Sequence, residues 1–201
     1  MKNNSKLIFF ISLTLFFQNI HSEEIHNFNF NTPDMSEHLW MYEGVTEYFA
    51  NLFQVNQGLI DETEFFERMA QKISQASQMN DKMSFTKMSK NVLNAPYKEQ
   101  YINVYQKGAL IAMCIDIIIR EESKGQKGIL TLMQDLSNEY GSKKAFKDEE
   151  LFATITRITY PQIGEFLNTY VAGETPIPYE VFFANAKEIP NVLHEIGRLR
   201  E

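Results

Sequence analysis

The sequence has little of what several protein classes require. Its one cysteine, Cys114, excludes an internal disulfide framework and any cysteine-based metal cage. That thiol lies in an apolar run, where it serves as a small core residue. Basic residues never stand more than two in a row and the net charge is −7. Such a chain has nothing to neutralise phosphates, which argues against a nucleic-acid partner. It also has no glycine-rich phosphate loop, internal repeat or low-complexity tract. No apolar run approaches the ~20 residues of a stable membrane span. What is present is 201 residues, 44% apolar and 22% charged, enough for one domain with a proper core and a short extra segment.

The clearest pattern runs from Leu39 to Phe53. Leu39, Tyr42, Val45, Phe49, Leu52 and Phe53 recur every three or four positions, and at about 100° per residue they share one arc of a helix. Glu43 falls at the edge of that arc, with Glu47 one turn later on the same side. Two readings stay open for these carboxylates. They are either solvated on an amphipathic face, or they sit at the rim of a buried face and pair with a cation, a metal ion being the strongest such partner.

The rest of the chain predicts an all-α, multi-helix fold. Asp34 with Glu37 reads as a capping box for the first long helix, which runs to about Gln54 with Gly58 closing it. Asp61 with Glu64 opens a second helix that reaches Met79 through Phe65, Phe66, Met69 and Ile73. Residues 80–95 are polar and punctuated, and residues 23–33 read as a surface loop or short extended piece. Pro96 opens a third helix, Tyr97 to Ser123, striped by Tyr101, Val104, Tyr105, Gly108, Ile111, Ala112 and Ile115. Because Ala109 to Ile119 is apolar on nearly every side, this helix belongs in the middle of the domain, while Lys107 and Asp116 argue against a membrane span. Shorter helices follow over Ile129–Tyr140 (ended by Gly141), Glu149–Ile158 (capped by Asp148), Pro161–Val171 (stopped by Gly173) and Val181–Ala186.

Residues 1–22 read as a signal-peptide-like segment. Lys2 and Lys6 precede the apolar run Leu7–Phe17, although Ile20-His21-Ser22 makes a poor cleavage site. If genuine, the segment implies a secreted or periplasmic protein.

Two motifs carry a resemblance. Trp40-x-x-Glu43-Gly44-x-Thr46-Glu47-Tyr48 resembles the helix that supplies the third zinc ligand in the glycyl aminopeptidase family of gluzincin metallopeptidases, relatives of thermolysin. The resemblance implies Glu43 as a zinc ligand and Glu47 as the carboxylate behind it that orients a ligand histidine. It also implies Trp40, Gly44 and Tyr101 as residues lining the substrate. Tyr105-Gln106-Lys107-Gly108 resembles the family's Tyr-x-Lys/Arg-Gly, whose tyrosine donates a hydrogen bond to the oxyanion formed as water attacks the peptide carbonyl. Taken alone, Tyr105 reads as a buried tyrosine with a satisfied hydroxyl. Gly108, lacking a side chain, lets another backbone pack close. Similar residues extend the resemblance over about residues 19–186, most of them core or turn positions.

The same resemblance exposes a gap. Zinc hydrolases of this kind hold the metal with two histidines one helical turn apart and a glutamate between them as general base. The four histidines here are His21, His26, His38 and His194, and none are four apart. Asn19-Ile20-His21-Ser22-Glu23 is similar to the stretch that follows His-Glu-x-x-His in bacterial members, but Leu7–Gln18 stands where the motif belongs. The expectation is a helical C-terminal subdomain of a thermolysin-like catalytic domain over 23–187. A tail, 188–201, ends before a PDZ-like domain that family members often carry. Either the chain is the downstream part of a longer zinc aminopeptidase, or it is an expressed remnant with an export signal. Zinc belongs to the intact site and is not held by this chain alone, so the chain is expected to be inactive toward the peptide substrate the family implies. A secreted, non-catalytic helical peptide-binding module is the competing expectation, and a poorly folding product with an exposed apolar arc is a third.

Overall fold

The computed structural model describes residues 20–141 and 144–188. The signal-like segment up to residue 19 and the tail beyond residue 188 lie outside the described residues. The described residues are helical and include no strand, and the one parallel bridge joins Ser22 to Phe146. The helices are α1 (Glu23–His26), α2 (a π-helical turn, Trp40–Gly44, running into an α-helix, Val45–Asn56), α3 (Glu62–Ala76) and α4 (Phe85–Lys90). After a 3-10 turn at Tyr97–Gln100 come α5 (Asn103–Glu122), α6 (Ile129–Glu139) and α7 (Asp148–Ile158). Next is α8 (Pro161–Phe166), with a π-helical extension over Leu167–Ala172, and finally α9 (Tyr179–Glu188). No helix among the described residues is long and apolar enough to cross a membrane.

The axle is α5. Every residue from Lys107 to Arg120 is buried, as the all-round apolar run requires, and α2, α3, α6, α8 and α9 all pack against it. Three of its buried residues, Lys107, Asp116 and Arg120, are charged, and each is paired. Lys107 Nζ bonds Asp81 Oδ1 at 2.9 Å. Asp116, with no exposed surface, accepts the Tyr48 hydroxyl at 2.9 Å and the Ile129 N–H at 2.7 Å, and Arg120 Nε stands 3.1 Å away. Ile129 is the first residue of α6, whose own N-cap is Gly128 with no side chain to offer. Asp116 therefore caps α6 from another helix, which is why an acid interrupts the apolar run.

Several expected boundaries move. The first long helix is not capped by Asp34, which instead bonds Lys90 at 3.0 Å; α2 starts later, in the π-helical turn. Tyr97 to Ser123 is not one helix, since the 3-10 turn and the residues before Asn103 interrupt it. The punctuated 80–95 stretch holds α4, opened by Ser84 accepting the Lys87 N–H and seated on buried Phe85 and Met88. Residues 23–33 include the short α1, capped by Ser22. Asp148 lies inside α7 rather than capping it; its carboxylate accepts the Ser36 hydroxyl at 2.7 Å and the Glu37 N–H. Asp61 does accept the Glu64 N–H at 2.8 Å, and Gly58 and Gly141 end α2 and α6 with φ of +68° and +61°.

Ile20 to Ser22, placed by sequence at the end of the apolar leader, are built into the domain. Ile20 is 1% exposed, the Phe146 N–H donates to the His21 carbonyl at 2.9 Å, and the Ser22 N–H donates to the Tyr42 hydroxyl at 2.6 Å.

Candidate functional site

The site begins where two glycines cross. A Cβ placed on Gly44 would lie 2.3 Å from the carbonyl carbon of Gly108, and one on Gly108 would lie 3.0 Å from the Cα of Gly44. The π-helical turn and α5 thus touch backbone to backbone, a contact that only residues without side chains permit. Each motif places its chemistry within three residues of that contact: Glu43 beside Gly44, and Tyr105 before Gly108. Glu43 sits in the π turn itself, closed by the Val45 N–H donating to the Trp40 carbonyl. Such turns are rare and recur at functional sites, where the wider helix re-aims side chains.

Near the crossing, Tyr101 and the Glu43 carboxylate are close enough to the Tyr105 phenol to act on its proton. The Tyr101 and Tyr105 rings meet edge to face with centroids 6.0 Å apart. The hydrogen bond with Tyr101, then burial, then the negative charge of Glu43 hold the Tyr105 phenol well above its usual range. It is therefore a neutral donor throughout the physiological pH range. Tyr101 is half-exposed, so this cluster opens to solvent.

Glu47 is not free. Its Oε1 accepts from Lys72 Nζ at 2.6 Å, and Lys72 also donates to Gln106 Oε1 at 3.4 Å. Sequence reasoning missed Lys72, whose position on α3 gives no local sign of what it will meet. Trp40 lies in the core at 1% exposure, its indole N–H donating to His38 Nδ1 at 3.3 Å. Gly44 is buried against Gly108. The structure thus brings Glu43, Tyr101 and Tyr105 together at an open surface, keeps Glu47 one turn away on an internal cation, and holds Trp40 and Gly44 inside.

Among the described residues, the histidines do not complete a metal site. His38 is buried, with Nε2 2.8 Å from the Asp148 carbonyl and Nδ1 receiving the Trp40 indole, so both ring nitrogens are engaged. Burial pushes its pKa below the ordinary value and keeps it neutral. Among the described residues no three His, Cys, Asp or Glu side chains stand together in a way that could hold a metal ion. One carboxylate beside two tyrosines does not fit zinc, which takes three or four protein ligands.

The family model described as M61 glycyl aminopeptidase matches residues 15–111, the stretch that holds Glu43, Glu47, Tyr101 and Tyr105. Over that stretch, just under half of its length, the chain is similar to the M61 family. Among solved structures, one similar to it is the crystal structure of an aminopeptidase N family protein from Idiomarina loihiensis. It is 22% identical with a TM-score of 0.73, and the match covers 92% of this chain and 34% of that one. At that identity the likeness concerns the fold, and it extends the shared architecture beyond the family match. This chain spans about a third of that protein's length. No curated protein matches the chain. The M61 match and the glycine crossing converge on the same two helices.

Proposed function

We propose that this chain provides the helical half of a zinc aminopeptidase site, with Glu43 offering a metal-facing carboxylate and Tyr105 the hydrogen-bond donor for the oxyanion. The observation that carries the proposal is the Gly44–Gly108 backbone crossing, which sets Glu43 and Tyr105 within three residues of one contact between the two helices. A phenol suits this task. It stays protonated, and its bond to a carbonyl oxygen strengthens as negative charge develops there. Tyr101 stands beside it with half its surface open, where a peptide can reach both rings.

The reading assigns no hydrolysis to the chain alone, because among the described residues no set of ligands stands together for zinc, the metal that would activate water in an intact site of this family. The test has two arms. The purified chain with added zinc is expected to leave glycyl and alanyl anilides intact and to show no one-to-one zinc binding by calorimetry. Recombined with the His-Glu-x-x-His-bearing upstream half of an M61 peptidase, it is expected to gain zinc-dependent hydrolysis of those anilides. Zinc-dependent turnover by the chain alone contradicts the proposal.

A second reading keeps the surface and drops the chemistry: a non-catalytic helical peptide-binding module. The Glu47–Lys72 pair favours it, since that carboxylate is already neutralised within the chain. Peptide binding by the isolated chain that is unchanged in Glu43→Ala would support this second reading.

A further inference from the structure

We infer that Lys72 is a positioning residue: by clamping Glu47 to the turn of α5 that carries Tyr105, it sets the spacing between the Glu43 carboxylate and the Tyr105 hydroxyl. This rests on the reading of Glu43 and Tyr105 given above.

The Gly44–Gly108 crossing fixes where the π turn and α5 meet, and the Tyr48 hydroxyl on Asp116 ties α2 to α5 on the side of the crossing away from Tyr105. On the side of Tyr105, Lys72 adds a tie from a third helix, α3. Its ammonium reaches Glu47 Oε1 at 2.6 Å on α2 and Gln106 Oε1 at 3.4 Å on α5. Glu47 is one turn beyond Glu43, and Gln106 directly follows Tyr105, so each arm of the clamp ends beside one member of the candidate pair. The side chain of Lys72 is 11% exposed. A cation so far removed from water is retained only where its partners satisfy it, which makes the clamp stiff rather than optional.

The neighbours of the clamp are themselves held. One turn earlier on α3, Arg68 Nη1 donates to Gln54 Oε1 at 3.0 Å, and Arg68 Nη2 bonds Glu64 at 2.8 Å, tying α3 to α2. Directly after Gln106, Lys107 Nζ bonds Asp81 Oδ1 at 2.9 Å, which resists rolling of α5. Lys72 therefore pulls against fixed anchors on both sides.

The test uses the full chain and nuclear Overhauser cross-peaks between the Tyr105 ring and the Glu43 side chain. Lys72→Met keeps the stem and removes the charge; it is expected to retain the helical circular dichroism and lose these cross-peaks. Lys72→Arg keeps the charge and is expected to restore them. Cross-peaks of full intensity in Lys72→Met, or an equal loss in Lys72→Arg, overturn the inference. Should Lys72→Met fail to fold, Glu47→Gln removes the charge from the other end, with the same loss expected and retention again overturning it. In the recombined peptidase, Lys72→Met is expected to lower kcat by about 10²-fold at little-changed KM, the effect of a misplacement near 1 Å. Because the cross-peaks are read in the chain alone, the clamp stands or falls whether or not the recombined halves hydrolyse anything.

Discussion

Gly44 and Gly108 meet with no side chain between them, and the meeting is unequal. An added Cβ on Gly44 would lie 2.3–2.6 Å from the Gly108 carbonyl carbon, oxygen and Cα, whereas one on Gly108 would come no nearer than 3.0 Å, to the Gly44 Cα. Backbone cannot move aside as a flexible side chain can. Gly44→Ala is therefore expected to cost about 3 kcal/mol, the upper part of the range for overpacking. Gly108→Ala should cost about 1 kcal/mol or less, because alanine's better helix propensity offsets part of the strain. Denaturant midpoints at constant m-value measure both, and equal costs would contradict the asymmetry.

Asp116 is the second place where one side chain holds several elements. It accepts from Tyr48 on α2 and from the first N–H of α6, and it pairs with Arg120 on its own helix. Asp116→Ala is expected to destabilise by about 3–5 kcal/mol, the cost of breaking a buried charge pair from one side. Chemical denaturation checks this; a loss under about 1 kcal/mol would mean that the cap on α6 is dispensable.

Acid sensitivity should start in the range of histidine. Burial of His38 lowers its folded-state pKa below the 6.5 of the unfolded chain, although Asp148, Glu37 and Glu24 each pull it upward. The folded state thus binds the proton less readily than the unfolded one. Stability from the neutral ring is fully present above pH 6.5 and is lost as the pH falls from there through the lowered folded value. Thermal midpoints should decline below pH 6.5, and His38→Gln should flatten that decline. Loss beginning only at carboxylate pH in the wild-type chain would show that His38 carries no linkage.

Alkaline behaviour has the mirror form. Burial raises Tyr42 from 10.0 to about 12, and its hydroxyl accepts the Ser22 N–H at 2.6 Å. The folded state holds this proton more tightly, so its contribution is intact below pH 10 and is lost as the pH rises towards about 12. Tyr42→Phe should shrink that alkaline loss. At neutral pH it should cost about 1–3 kcal/mol, because the Ser22 N–H is left without its acceptor. Phenolate absorbance should show Tyr42 titrating after the exposed tyrosines; titration together with them contradicts the burial.

How much of this could be read in the sequence follows from how local each signal is. The Asp61 cap on the Glu64 N–H is legible because donor and acceptor are three residues apart, and Gly58 and Gly141 are legible because positive φ favours glycine. The buried middle of α5 is legible because apolar residues occupy every side of it. Asp116 and Asp148 were opaque: one caps a helix 13 residues away, the other receives a loop 112 residues away, and nothing local announces either partner. Burial of Trp40 follows from α2 being enclosed on more than the predicted arc, with Trp40, Met41 and Tyr48 inside as well. At the candidate site, motif wording singles out Glu43 and Tyr105, but the Lys72 clamp depends on three helices at once and has no signature along the chain.

The central claim is that Glu43 and Tyr105 serve one peptidase site. Its most direct test is the rate of zinc-dependent glycyl anilide hydrolysis by this chain recombined with the upstream half of an M61 peptidase. The account predicts that Glu43→Gln abolishes turnover, and that Tyr105→Phe lowers kcat by about 10²–10³-fold with KM little changed, as for loss of one oxyanion donor. Hydrolysis at undiminished rate in either variant would contradict it.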